Sequence, residues 1–501
     1  VLTALLAAVV FIPFLRNKLF SMLKWVRNDA ARPVRVIVTS GTVVLGVWFL
    51  FLSILPGLLQ WLRVEPNEIT LEKPYIKHNI EFTRRAFNLD KVEEKQFPAS
   101  ETFTRKLVSG NQDLFSNVRL WDYRALDAVY KQFQEIRLYY EFSDVDIDRY
   151  HVDNMYRQMM VSAREIEIEN LPKGSKTFVN KRFKYTHGNG ITLTNVSEFT
   201  PQGLPDLLIK DIPPTSHYEK LEIDTPQIYY GELTREHAIV NTREGEFDYP
   251  SGDKNVFINY PGKGGVKISS LWRKFLYGWK FDRTRFFLSG YPTKESRIQF
   301  HRQILERVRT LAPFLKFDDD PYIVTSKGKL YWIIDAYTTT DRYPYSEPYS
   351  WNYFEGQHIP SLPSGFKTGM DGINYLRNSV KIVIDAFHGS VDFYVYNQDD
   401  PIIRVWDNIF PGMFKNREKM DPELAKHVRY PLQKLLVQGL VYAKYHMTDP
   451  GVFYNQEDLW VRATEKYYNR IQPVQPYYVM WEQPGSDEAE FVLILKKKKK
   501  N

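Results

Sequence analysis

From Val36 to Leu62 the sequence VIVTSGTVVLGVWFLFLSILPGLLQWL runs 27 residues without a charged position. A membrane-spanning helix needs roughly 20 predominantly apolar residues, so this pattern predicts a complete transmembrane helix over 36–62. Pro56 would bend it and Trp61 would sit at its interface. The opening VLTALLAAVVFIPFL is apolar but shorter, and predicts a partial transmembrane helix over 1–15. Residues 16–35 between them carry six basic side chains and one acidic. Short loops rich in Lys and Arg stay in the cytoplasm, so 16–35 reads as a cytoplasmic basic loop and the chain beyond residue 63 as extracytoplasmic.

After residue 63 the pattern changes to mixed elements. Apolar residues recur at helical spacing near 74–88, over 120–137 (Leu126, Val129, Tyr130, Phe133) and over 295–315 (Ile298, Ile304, Leu305, Val308, Leu311). YIVTSKGKLYWIIDAY (322–337) predicts a hairpin turning at Lys327–Gly328, and VKIVIDAFHGSVDFYVY (380–396) one turning at His388–Gly389. A helix over 421–447 should start with Asp421 as N-cap and Pro422 at its first position, and Pro431 should divide it. Strands and helices interleave irregularly, which predicts an α+β domain over 63–495 with mostly antiparallel strands.

In FSDVDIDRY (142–150) the acids Asp144, Asp146 and Asp148 occupy every second position. As a calcium loop the segment fails, because Arg149 replaces the required glycine and Met155 the required glutamate. The near-two-residue period predicts a strand with an acidic, solvated side.

Composition narrows the chemistry. The 501 residues include no cysteine, which excludes disulfides, thiolate catalysis and Cys-ligated zinc. The net charge of +7 is concentrated at the two ends. Residues 64–495 hold 55 basic and 59 acidic side chains, a balance that argues against nucleic acid as partner. No two histidines have compact zinc spacing, and GKGGVK (262–267) lacks the spacing of a phosphate loop, so neither a cofactor nor a nucleotide is expected. The catalytic candidate is His187 in THGNG, where glycines would let a ligand approach the backbone; a hydrogen-bonded histidine in a tight turn fits the same residues. Asp320, Asp335 and Asp341 are the candidate cation ligands. The long connection 336–365 is unusually aromatic, and Tyr343, Tyr345, Tyr349, Trp351 and Tyr353 are candidates for binding a partner. The same rings would also serve simply to pack the loop onto the domain.

Several long motifs carry a family resemblance in the same order: YYEFSDVDIDRY, RFKYTHGNGITLTNVSEFTPQGLPDLLIKDIPP, YPGKGGVKISSLWRK, FPGMF and YHMTDPGVFYNQEDLW. They resemble the uncharacterised family UPF0182 of large bacterial integral membrane proteins. The resemblance implies a multi-pass cell-membrane protein with a large extracytoplasmic region, of which this chain is a fragment truncated at both ends. It implies no activity and no catalytic residue. The tail KKKKKN (496–501) is what adenine-rich DNA encodes, which points to a frameshift artefact. The expected function is that of a membrane-anchored envelope protein in contact with the lipid bilayer, whose outer domain binds a protein or glycan. The alternative is a membrane-tethered extracytoplasmic enzyme, such as a metal-dependent hydrolase acting on cell-envelope material.

Overall fold

A computed structural model describes residues 32–49, 51–52, 55–96, 104–152, 155–252, 254–351, 368–467, 469–482 and 489–499. The chain divides into two compact units, residues 1–78 with 449–455, and residues 79–448 with 456–501.

The first unit corrects the expected complete transmembrane helix over 36–62. Among the described residues no helix is long and apolar enough to cross a membrane. The apolar run is not one helix. Helix α1 (Arg32–Phe49) begins four residues upstream of it, and its first turn contains Arg32 and Arg35. That leaves 14 uncharged residues after Arg35, about 21 Å at roughly 1.5 Å per residue, which is short of a hydrocarbon core of about 30 Å. Beyond it the backbone forms a short helix at Leu55–Leu59, a widened turn at Gln60–Val64 and a tight one at Glu65–Asn67. The expected partial helix 1–15 and most of the loop 16–35 lie outside the described residues. Helix α2 (Glu68–Ala86) follows and contains Pro74.

The second unit is α+β with mostly antiparallel strands. Helix α3 (Tyr123–Gln134) is capped by Asp122, whose carboxylate accepts from Arg124 N at 2.9 Å. Its Leu126 and Tyr130 pack against Phe142 and Met160. One sheet contains β1 (Tyr140–Phe142), β2 (Asp146–Val152), β3 (Met155–Ile166), β4 (Ile191–Phe199), β5 (Pro205–Lys210) and β6 (Thr215–Ser216), in the order β1-β3-β4-β5-β6 with β2 also on β3. The other contains β7 (Lys316–Phe317), β8 (Tyr322–Ser326), β9 (Lys329–Thr340), β10 (Tyr375–Asp385), β11 (Val391–Val395) and β12 (Phe414–Asn416), in the order β7-β9-β10-β11-β12 with β8 on β9. The β11–β12 pair is parallel; the other pairs of these two sheets are antiparallel. Both sheets feed one core, with Met159, Val161 and Leu193 from the first and Trp332, Ile334 and Ile382 from the second. The indole N–H of Trp332 finds a partner in the Tyr230 carbonyl at 2.9 Å.

Local signals fix several elements. Lys327 and Gly328 both have positive φ, 51° and 72°, so the β8–β9 turn is a two-residue loop that matches strand twist. Asp421 caps a one-turn helix at Pro422–Ala425, and Pro431 opens a separate helix, named α7 below. The predicted helix 295–315 is shorter than expected. Arg297–Gln299 is extended and pairs with Ala238–Val240, His301 has a φ of 47°, and the helix runs only over Ile304–Leu311. In order along the chain, the further helices named below are α4 (Leu271–Lys280), α5 (Thr284–Leu288), α6 (Ile304–Leu311) and α7 (Leu432–Tyr445).

Candidate functional site

The acidic strand is the starting point. Asp146 and Asp148 lie on β2 as predicted, but their carboxylates are buried and paired, not solvated. The partners come from His427–Arg429, the connection between the Pro422–Ala425 helix and α7. Asp148 accepts from Arg149 Nη1 at 3.1 Å and contacts His427 Nδ1 at 2.7 Å. Burial opposes its charged form, but these two partners outweigh that and hold its carboxyl below the usual range. Arg149 donates in turn to the carbonyls of His427 and Val428, at 2.9 and 2.7 Å.

Arg429 is the centre of the arrangement. Its Nη2 reaches Asp146 Oδ1 at 3.1 Å and Asp320 Oδ2 at 3.4 Å, and its Nη1 donates to the Ile147 carbonyl at 2.9 Å. The guanidinium lies 3.8 Å from the Tyr322 ring centroid and 5.0 Å from that of Tyr478. One buried cation thus faces more carboxylates than it can neutralise. Burial, and then the Asp144 charge, push Asp146 well up. Asp144 reaches solvent at the wall of a cleft, yet enclosure by protein and the charge of Asp320 push it up to about 7. Glu232, which accepts from Ser143 Oγ at 2.8 Å, is raised by burial and by Asp144 and Asp146. Asp318 is raised to about 8 by burial, Asp320 and Asp335.

Asp144, Asp146, Asp320 and Arg429 border a cleft of about 400 Å³. Asp146, Asp320 and Arg429 line it together with Arg119, Asp122, Tyr123 and Arg124 and with Glu465, Gln472, Gln475, Tyr477 and Tyr478. Arg124 is held by Asp122 through two hydrogen bonds, at 2.8 and 2.6 Å, and lies 3.4 Å from the Tyr467 ring centroid. The lining therefore combines planar polar groups in fixed orientation with aromatic rings.

The other predicted residues lie elsewhere. His187 is sealed in the core, with Nδ1 2.9 Å from Thr186 Oγ1, Nε2 3.3 Å from Asp248 Oδ1, and its ring against Tyr229. Of the candidate cation ligands, Asp335 is buried and bound to Lys381 and Asn378, and Asp341 is exposed beside Arg342. Among the described residues no group of three or more His, Asp or Glu could hold a metal ion. In the aromatic connection Tyr349 and Trp351 are buried, Tyr343 packs between Phe82 and Tyr375, and Tyr345 is 61% exposed while packing on Phe82. Tyr353 lies outside the described residues. Sequence reasoning missed Arg429, His427 and Glu232. The available signal for the first two was Pro431, which disfavours helix at the preceding residue and so frees the segment before it to meet β2.

The whole chain, residues 1–501, matches the Uncharacterised protein family (UPF0182). It is 46% identical over 468 residues to a UPF0182 protein of Pelotomaculum thermopropionicum, covering 93% of this chain and 49% of that protein. It is 46% identical over 462 residues to one of Sulfurovum sp., covering 92% and 48%, and 45% identical over 448 residues to one of Trichodesmium erythraeum, covering 89% and 48%. The chain thus spans about half the length of these curated relatives. No solved structure matches it. With the match extending over its full length, the chain belongs to the uncharacterised protein family UPF0182.

Proposed function

We propose that this chain is a non-catalytic binding module of the cell envelope, and that its cleft holds a glycan partner. The observation that carries this reading is the lining of the 400 Å³ cleft. Sugars present rows of hydroxyls on their edges and C–H groups on their faces. Planar carboxylates, guanidinium groups and amides meet the first, and aromatic rings such as Tyr123 and Tyr477 meet the second. The volume lies within the range of about 300–1,000 Å³ for small-ligand sites. The envelope location is supported by the exposed apolar side chains between Leu45 and Leu62, including Trp48, Phe51 and Trp61, which an aqueous surface would leave uncovered.

Calorimetric titration with oligosaccharides of bacterial cell-wall type tests the reading. Binding is expected, and Tyr477→Ala and Asp320→Asn should each weaken it at least tenfold at unchanged melting temperature. Absence of heat with every oligosaccharide overturns it. A second reading, hydrolysis of the same envelope glycans, is favoured by Asp144, which titrates near 7 beside other carboxylates. A protonated acid beside an ionised carboxylate is the pair that glycosidic cleavage employs. Appearance of shortened products during the titration, abolished by Asp144→Asn, would establish that reading in place of the first.

A further inference from the structure

Helix α4 is inverted relative to an ordinary surface helix. Ser270 caps it by accepting from Arg273 N at 3.2 Å. Its inner side is seated by Tyr277, whose ring meets Phe281 and Phe300, and by Gly278, where a Cβ would come within 3.1 Å of the Arg283 carbonyl at the start of α5. The outer side carries Trp272, Phe275, Leu276 and Trp279. That is the i, i+3, i+4, i+7 stripe which normally faces a core. Here Trp272 is 65% and Trp279 77% exposed. Leu288 from α5 extends the same region at 78% exposure. The rings are ordered against one another, with Trp272 and Phe275 5.6 Å apart and Phe275 and Phe287 5.9 Å apart.

Charge identifies what covers this face. From Leu271 to Lys294 there are six basic residues and one acidic. Arg273, Lys280, Arg283, Arg285 and Lys294 are exposed. The single acid, Asp282, is bound to Arg182 and His237 and neutralises none of them. The neighbouring Glu295 is bound to Lys267. The patch is therefore locally net +5 in a domain that is otherwise mildly acidic. A second copy joined face to face would bring a patch of the same sign against it, which disfavours self-association.

We infer that the face formed by Trp272, Phe275, Leu276, Trp279 and Leu288 is a surface anchor that lies in the headgroup boundary of an anionic lipid layer. Trp and Leu enter the boundary between headgroups and acyl chains, and the surrounding Arg and Lys meet the phosphates. The anchor lies in the plane of the interface and crosses nothing. It is independent of the glycan reading, because none of its residues lines the cleft.

The lack of cysteine makes the test local. In the full chain, Leu276→Cys takes a single environment-sensitive fluorophore at a half-exposed position, and Asn255→Cys, on an exposed strand, serves as control. Vesicles of equal parts phosphatidylglycerol and phosphatidylcholine should shift the Leu276 probe to the blue and leave the Asn255 probe unchanged. Pure phosphatidylcholine should shift it much less, and high salt should reverse the effect. Replacing Arg283 and Arg285 by Ser should weaken the effect roughly tenfold or more. If the variant Leu276→Cys does not fold, Trp279→Cys reports from the same face. An unshifted Leu276 probe on protein that floats with the vesicles overturns the anchor, since other apolar segments then carry the binding. A shift that grows with protein concentration in the absence of lipid overturns it in favour of self-association.

Discussion

Replacing Arg429 by Met keeps most of the side-chain stem between Tyr322 and Tyr478 and removes the charge. The side chain is 4% exposed and supplies Asp146 with one of its two hydrogen-bond donors, the other being Ile323 N at 3.3 Å. Breaking a buried pair by deleting one partner costs about 3–5 kcal/mol, because the remaining charge is left uncompensated. The Ile147 carbonyl loses its donor as well. We expect a loss of about 4 kcal/mol at pH 8, measured by urea unfolding with linear extrapolation. At about 2.1 cal/mol/K per residue over roughly 420 residues, that corresponds to a melting temperature lower by about 4–5 °C. Part of this loss should be recovered as the pH is lowered, because burial and the Asp144 charge favour the protonated form of Asp146, which needs no counter-charge. Combining Arg429→Met with Asp146→Asn should cost less than the sum of the single changes, by about 1–3 kcal/mol. A loss below about 1 kcal/mol, or strict additivity of the two, would refute the claim that Arg429 neutralises Asp146 across the sheet.

The remaining predictions concern protonation, the aromatic loop and calcium. Asp318 titrates near 8 in the folded chain against about 4 unfolded, so its contribution to stability is present at low pH and is lost as pH rises from about 4 to 8. The free energy of unfolding should therefore fall over pH 5–8, by up to about 1.4 kcal/mol per pH unit for the one proton, and Asp318→Asn should flatten the slope. Trp351 is 3% exposed, so Trp351→Ala should cost about 3–5 kcal/mol; a change under about 1 kcal/mol would free the ring for a partner. Calcium titration should leave the melting temperature unchanged, because Asp146 and Asp148 already have protein partners. A rise that Asp146→Ala abolishes would contradict this.

What was legible in the sequence was local. Lys327–Gly328 forms its turn because two adjacent residues take positive φ, and Asp421, Pro422 and Pro431 set helix ends through their own backbone chemistry. Strand β2 was readable from its period, but the fate of its acids was not. Asp146 and Asp148 meet side chains 283 and 279 positions away; the adjacent Arg149 is a visible partner for Asp148, but nothing near Asp146 in the chain indicates its counter-charge. The membrane reading failed for the opposite reason. Hydropathy recorded the run from Val36 to Leu62, whereas the helix register placed Arg32 and Arg35 in the same helix as its first half, and Leu55–Leu59 forms a separate short helix. Helix α4 shows a third kind of limit: its apolar stripe is visible in the letters, but whether that stripe faces inward depends on Tyr277 and Gly278 seating the other side.

The clasp of His427–Arg429 on β2 has a consequence for how the chain is made. Synthesis delivers Asp146 long before Arg429, and Asp148 long before His427. Until ribosomes have added nearly three hundred further amino acids, the first sheet cannot close over its acids without burying bare charge. The nascent amino-terminal half should therefore stay open and be handled by chaperones, committing to its fold only when the strands of the second sheet and the clasp emerge. High sequence separation of the decisive contacts also predicts slow refolding from denaturant.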